Sequence, residues 1–182
     1  LAATKARVAK LKKCAFGADQ GQAEVIARAE LTRQGGQFPL IFEKGFGGLD
    51  EFYLRGEKAS PSKGVIAEDF PYLAIAEDYE KAGAAAISVL TEPEFFQGAD
   101  TYLTEIAKAV QIPVLRKDFY IDSYQIYEAK VIGASAIFID FAILSEEELK
   151  EFSWVGKQLG LACLVEAHSE EEIAKALNIG GT

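Results

Sequence analysis

Lys117 and Glu166 each follow a short apolar run without a break, in Val114-Leu115-Arg116-Lys117 and Leu164-Val165-Glu166. A strand that stops on a charged residue delivers that charge to its own carboxyl end, and in parallel α/β folds those ends form the functional face. An ammonium and a carboxylate sharing one mouth are suited to acid–base chemistry, because burial and neighbouring charge move pKa values toward neutrality. Other strand ends add charge to the same ring: Arg55-Gly56-Glu57-Lys58, Thr91-Glu92, Arg116 and Asp118 on either side of Lys117, and Asp140-Phe141. Asp118 reads better as a cap for the turn that follows it. His168, the only histidine, reads as a loop residue ahead of Ser169. In Ser60-Pro61-Ser62-Lys63-Gly64 the small residues of a polar turn leave room for backbone N–H groups to approach a phosphate.

The elements that carry these residues follow from a repeated phrase. Gly83, Gly133 and Gly160 each precede a few small residues and then an almost continuous apolar run. A glycine just past a helix is the usual left-handed cap, and an apolar run without alternation is a strand covered on both faces. Ile112-Pro113-Val114-Leu115 supplies a further strand with proline at its beginning. Strands are expected near 52–57, 86–91, 112–117, 135–139 and 162–166, with helices between them. Leu103, Ile106, Ala107 and Val110 form one helical stripe. Ser145 with Glu148, and Ser169 with Glu172, have capping-box spacing, while Ser123 stands where it can cap the segment from Tyr124 to Ile132. Strict alternation with short crossovers predicts a parallel α/β sheet built by right-handed connections.

The first 50 residues read differently. Ala2 to Lys13 is a basic helix whose charges suit a solvated face. Residues 34–50, rich in glycine and phenylalanine, contain a Gly-x-Gly-Gly that lacks the preceding strand a dinucleotide site requires. Domain boundaries are drawn at 1–50, an N-terminal helical extension, and 51–182, the α/β domain.

Composition closes off several classes of function. The 182 residues carry a net charge of −9, so no global basic field is available to hold nucleic acid, and an anionic ligand needs a local positive pocket. No uncharged apolar run approaches the roughly 18 residues of a spanning helix. Cys14 and Cys163 read as packed, reduced thiols, which suits a cytoplasmic protein. No signal peptide is visible. Methionine is absent even at position 1, which predicts residues missing ahead of Leu1.

Five strings occur in order: Lys58-Ala59-Ser60-Pro61-Ser62-Lys63-Gly64, Ala86-Ile87-Ser88-Val89-Leu90-Thr91, Phe95-Phe96-Gln97-Gly98, Pro113-Val114-Leu115-Arg116-Lys117-Asp118-Phe119 and Leu164-Val165-Glu166. Together they resemble the indole-3-glycerol-phosphate synthase family, closely from about residue 51 to 178 and more loosely before. The resemblance implies a (β/α)8 TIM barrel and a carbon–carbon lyase of the carboxy-lyase class. Such an enzyme closes the indole ring on 1-(2-carboxyphenylamino)-1-deoxyribulose 5-phosphate, losing carbon dioxide and water, with no cofactor and no metal. It further implies that Lys117 is the general acid and Glu166 the catalytic glutamate, that Ser60 lies near the substrate, and that Phe96 packs on the anthranilate ring. Phosphoribosylanthranilate isomerase, another sugar-phosphate barrel, fits the Ser-Pro-Ser-Lys-Gly turn and the Leu-Arg-Lys-Asp-Phe strand less well.

Two departures from the family pattern carry expectations of their own. With Ser60-Pro61-Ser62 setting the register, the family's Glu-x-Lys falls on Arg55 and Glu57, so the signs are exchanged. Arg55 is then expected among the substrate-binding residues and Glu57 among the catalytic ones, and the exchange is expected to cost roughly 10²–10⁴-fold in rate. Asp140 puts a charge where the family is apolar. The second departure is length, since a (β/α)8 barrel takes about 250 residues. Only five βα units are expected here, with an open sheet edge prone to association where the full barrel is a monomer. The 182-residue chain by itself is expected to be inactive. A catalytically silent scaffold that keeps half of the barrel is the rival reading.

Overall fold

The computed structural model describes residues 1–14, 53–56, 59–60, 64–65, 70–166 and 169–179. Among these, α1 (Ala2–Cys14) precedes β1 (Tyr53–Gly56) and a short antiparallel pair, β2 (Ala59–Ser60) and β3 (Gly64–Val65). Alternating units follow: α2 (Tyr72–Lys81), β4 (Ala86–Leu90), α3 (Asp100–Ala109), β5 (Val114–Lys117), α4 (Tyr124–Val131), β6 (Ala136–Asp140), α5 (Glu146–Gln158), β7 (Ala162–Glu166) and α6 (Glu170–Ile179). One sheet holds five parallel strands in the order β1-β4-β5-β6-β7. The order follows the chain without reversing, as in the wall of a barrel, whereas a doubly wound sheet turns back at a switch point.

The three glycines of the repeated phrase all adopt the left-handed conformation, with φ of 88° at Gly83, 102° at Gly133 and 67° at Gly160. Each ends a helix and releases the chain into the next strand, so the sequence reading holds at every repeat. Leu103, Ile106 and Val110 are buried as the stripe predicts. Ser145 forms the full capping box with Glu148, and Ser169 accepts the Glu172 N–H at 3.2 Å. Ser123 does not cap α4. It is itself helical, and the Tyr124 N–H donates instead to the Asp122 carboxylate at 2.9 Å. The cap moved one residue upstream because an Asp carboxylate reaches the backbone donor two residues on, in the manner of an Asx turn.

The backbone N–H and then the hydroxyl of Ser145 hold the Glu148 carboxyl below its ordinary value of 4.5. A depressed folded-state pKa gives stability that is present above the unfolded carboxylate value and lost as pH falls through the folded one. Replacing Ser145 with alanine is therefore expected to cost about 1 kcal/mol at neutral pH. Urea unfolding of both proteins across pH checks this, and the gap narrows on acidification.

Strand alternation divides the buried residues into two layers. Ile87, Val89, Val114, Ile137, Ile139 and Cys163 face the helices and pack with Leu103, Ile106, Ile126, Leu149 and Phe152. The opposite face carries a smaller cluster of Ala86, Leu115, Ala136 and Ala162, flanked by Phe138 and Leu164. Cys163 is a buried thiol in the helix-side layer, outside any disulfide, and burial pushes its pKa up to about 12. The side chain of Cys14 lies outside the described residues. No helix among the described residues is long and apolar enough to cross a membrane.

The solvated-face reading of α1 needs correction. Lys5 and Lys10 are exposed, but Thr4 and Val8 are buried, and Arg7 Nη2 is shared between both carboxylate oxygens of Asp118, each at 2.7 Å. Thr4, Arg7 and Val8 stand at i, i+3 and i+4, so one helical face docks on the domain while Lys5 and Lys10 stay in water. Residues 15–52, including the glycine- and phenylalanine-rich stretch, lie outside the described residues.

Candidate active site

Lys117 is the last residue of β5 and two positions beyond Leu115, so it belongs to the face turned away from the helices. Its Nζ sits 4.0 Å from the centroid of the Phe138 ring, another residue of that face. A ring face attracts an ammonium and holds it in one orientation. Glu166 ends β7 two positions beyond Leu164 and so shares this face, half-buried and in register with Asp140 of β6. Leu90 is in register with Lys117, and Arg55 of β1 with Ser88 of β4. The acid and the carboxylate expected from the sequence therefore stand at the carboxyl ends of two strands of one sheet, on the face away from the helices.

Adjacent residues of a strand point to opposite sides, and this overturns the grouping of Arg116 and Asp118 with the mouth charges. Arg116 is turned toward the helices and is 1% exposed. Its guanidinium meets Asp100 and Glu128 at 2.8 Å each and Asp118 at 3.4 Å, and it donates to Thr91 Oγ1 and the Gln125 carbonyl. Burial pulls the Arg116 pKa down, but Tyr120, Asp100, Asp118 and Glu128 together raise it above the ordinary arginine value, so the cation persists. Asp118 does accept the Phe119 N–H at 2.8 Å, as a capping residue would. It is also 5% exposed and gathers Arg7, Arg116 and Thr91 around its carboxylate, a role its sequence position does not announce.

Phe96 lies in the loop after β4, half-buried, with its ring centroid 6.4 Å from that of Phe119 at 53° between the planes. That tilted pair flanks the strand end bearing Lys117. The loop is built around Glu92, a buried carboxylate that accepts the N–H groups of Glu94, Phe95 and Phe96 at 3.1, 2.7 and 3.2 Å. Gln97 takes a φ of 53°, and Gly98 presses against the strand so closely that a Cβ there would meet the Leu90 carbonyl oxygen at 2.4 Å. Gly98→Ala is therefore expected to push the loop off β4, lowering stability by about 1–3 kcal/mol and displacing Phe96. Chemical denaturation reports the first effect, and the near-ultraviolet circular dichroism of the Phe96–Phe119 pair reports the second.

Phe119 and Arg7 were not singled out from the sequence, and Glu92, grouped there with the mouth charges, is instead spent on the N–H groups of its own loop. Glu92 was legible, since an acid followed by Pro93 at the start of a turn is an N-cap pattern. Arg7 was not, because nothing local distinguishes it from the neighbouring basic residues. Arg55 and Ser60 are described as backbone positions of β1 and β2, while Glu57 and His168 lie outside the described residues. Asp140 ends β6 and accepts the Ala142 N–H at 2.8 Å, closing the turn after the strand. Among the described residues no group of His, Cys, Asp and Glu side chains is arranged to hold a metal ion.

A sequence profile of the indole-3-glycerol phosphate synthase family matches residues 5–182. The indole-3-glycerol phosphate synthase of Ruminiclostridium cellulolyticum is 50% identical over 181 residues, 98% of this chain and 66% of that protein. That of Endomicrobium trichonymphae is 52% identical over 182 residues, 99% of this chain and 67% of that protein. That of Lachnoclostridium phytofermentans is 55% identical over 129 residues, 71% of this chain and 48% of that protein. The chain thus spans between about half and two thirds of the length of these curated relatives. Among solved structures, a mandelate oxidase variant superposes with a TM-score of 0.57 at 17% identity, covering 89% of this chain and 57% of that one. At that identity the likeness is one of fold alone.

Proposed function

Because the chain belongs to the indole-3-glycerol phosphate synthase family, we propose that it performs that family's ring closure in tryptophan biosynthesis, in the cytoplasm, as a carboxy-lyase needing no cofactor. In this reading its five βα units are the first five of the family's (β/α)8 barrel, a monomer when complete. The substrate is the small phosphorylated 1-(2-carboxyphenylamino)-1-deoxyribulose 5-phosphate.

The ring carbon bearing the carboxylate attacks the keto carbon, and Lys117 delivers its proton to the keto oxygen as that carbon–carbon bond forms. The carbon–carboxylate bond then breaks, carbon dioxide leaves, and the bonding pair restores the aromatic ring. Glu166 assists the proton transfers by which the new hydroxyl departs as water. Phe96 packs on the anthranilate ring, beside Phe119, and Ser60 lies near the substrate. Arg55, at the first of the family's Glu-x-Lys places, binds substrate, and Glu57, at the second, takes part in the acid–base work.

One observation carries the reading: Lys117 and Glu166 end two strands of one parallel sheet and share the face away from the helices. The intact protein, given the substrate, is expected to release carbon dioxide and the fluorescent indole product in equal amounts. Product of a different class, such as the isomerised phosphoribosyl compound, would overturn it. The exchange at Arg55 and Glu57 favours a second reading, a silent scaffold. If so, the intact protein gives no turnover, and the double variant Arg55→Glu/Glu57→Lys does.

A further inference from the structure

We propose that Asp118 is a positioning residue for Lys117, with Arg7 of α1 as its outer anchor. The inference rests on the reading of Lys117 as the general acid. Asp118 is the residue immediately after Lys117, and strand alternation sends the two side chains to opposite sides of the sheet. Both carboxylate oxygens of Asp118 are engaged. Oδ1 accepts from Arg7 at 2.7 Å and from the Phe119 N–H at 2.8 Å, and Oδ2 accepts from Arg7 at 2.7 Å and from Thr91 Oγ1 at 2.9 Å, with Arg116 Nη2 at 3.4 Å.

Four pieces of chain are thereby drawn onto one buried group: α1 through Arg7, the end of β4 through Thr91, β5 through Arg116, and the backbone leading to Phe119. The Thr91 N–H also donates to the Lys117 carbonyl at 3.1 Å, so the backbone of Lys117 is held on its β4 side as well. A lysine side chain has four rotatable bonds and cannot set its own ammonium. Here its root is clamped from behind, and its tip lies against Phe138. Arg7 Nη2 bridges both oxygens of the carboxylate, and charge-assisted hydrogen bonds of this kind are shorter and stronger than neutral ones. Among the described residues, Arg7 is the one member of this cluster that arrives from outside the α/β repeat, so docking of α1 sets the strand end that bears the acid.

The test is made in the intact protein with Arg7→Ala, Arg7→Lys and Asp118→Asn, using Ser145→Ala as a control that lowers stability away from the site. The first readout is the titration of the Lys117 ammonium, followed by NMR of the 13C-dimethylated side chain. It is expected to move by about half a pH unit or more in Arg7→Ala and Asp118→Asn, less in Arg7→Lys, and not at all in Ser145→Ala. The second readout is turnover, where kcat is expected to fall roughly 10- to 100-fold in Arg7→Ala with KM little changed, and Arg7→Lys to recover part of the loss. If Arg7→Ala lowers only the melting temperature, as Ser145→Ala does, and leaves the Lys117 titration in place, the inference is overturned. A wild-type protein that gives no turnover while the titration still shifts removes the proposed activity and leaves the positioning role standing. Should Asp118→Asn fail to fold, Arg7→Ala alone decides, because Arg7 lies on the rim of the cluster.

Discussion

Lys117→Ala is expected to lower kcat for ring closure by roughly 10²–10⁴-fold, with KM changed far less. In the proposed mechanism the ammonium is the proton source for the keto oxygen at the moment the carbon–carbon bond forms, so its loss is felt in the transition state more than in binding. Alanine at a half-buried strand end leaves the parallel ladder intact, and the neighbouring Leu90 and Phe138 still cover the position. The measurement is steady-state formation of the fluorescent product by wild-type and variant protein at matched concentration, with melting curves run alongside. Full turnover in the variant would remove Lys117 from the chemistry. A parallel loss of rate and of melting temperature would point to folding, which the position of the residue does not lead us to expect.

Arg116→Met carries the largest expected cost in stability, about 3–5 kcal/mol. The methionine roughly replaces the volume of the stem, so the loss comes from charge. Asp118 and Glu128 stay buried, and Asp100 stays beside them, without the guanidinium that all three face. In the wild type, burial raises the Glu128 carboxyl above its ordinary value of 4.5, Arg116 pulls it back, and Asp100 and Asp118 push it up. Without Arg116 only the raising influences remain. A carboxyl whose folded-state pKa is raised binds more protons when folded, so stability falls as pH rises from the unfolded value through the folded one. The deficit of the variant is therefore expected to be larger at pH 7 than near the ordinary carboxylate value of 4.5. Adding Asp118→Asn and Glu128→Gln to Arg116→Met is expected to recover much of the loss, because the neutral partners no longer need the cation. Urea unfolding of the three proteins at both pH values reads all of this. An Arg116→Met protein as stable as the wild type would mean that the cluster is hydrated rather than buried.

The βα alternation, the glycine caps, the helical stripe of α3 and the Ser145–Glu148 box were all legible in the sequence because each is a local pattern. A left-handed glycine, a helical face or a capping box is settled within about one or two turns of chain, and the residues that decide it are neighbours. The strand ends were legible for the same reason, as apolar runs that stop on a charge. Lys117 and Glu166 could be named from that pattern together with the family resemblance.

The direction in which each charge points was not local. Arg116, Lys117 and Asp118 are consecutive and equally polar, and their types give no sign that the middle one faces away from the helices while its neighbours are buried against helix and loop. That choice belongs to the sheet: the pleat assigns alternate residues to alternate faces, and the helices α3 and α4 cover one face only. Ser123 failed as a cap because a competing carboxylate one residue earlier reached the free N–H first. Arg7 could not be told from the other basic residues of α1 until the helix docked on a carboxylate 111 positions away. Local chemistry in the sequence thus determined the elements, their order and the residues capable of acid–base work. The tertiary structure alone decided which charges meet, because ion pairing between residues distant in the chain depends on which faces of the sheet and helices are brought together.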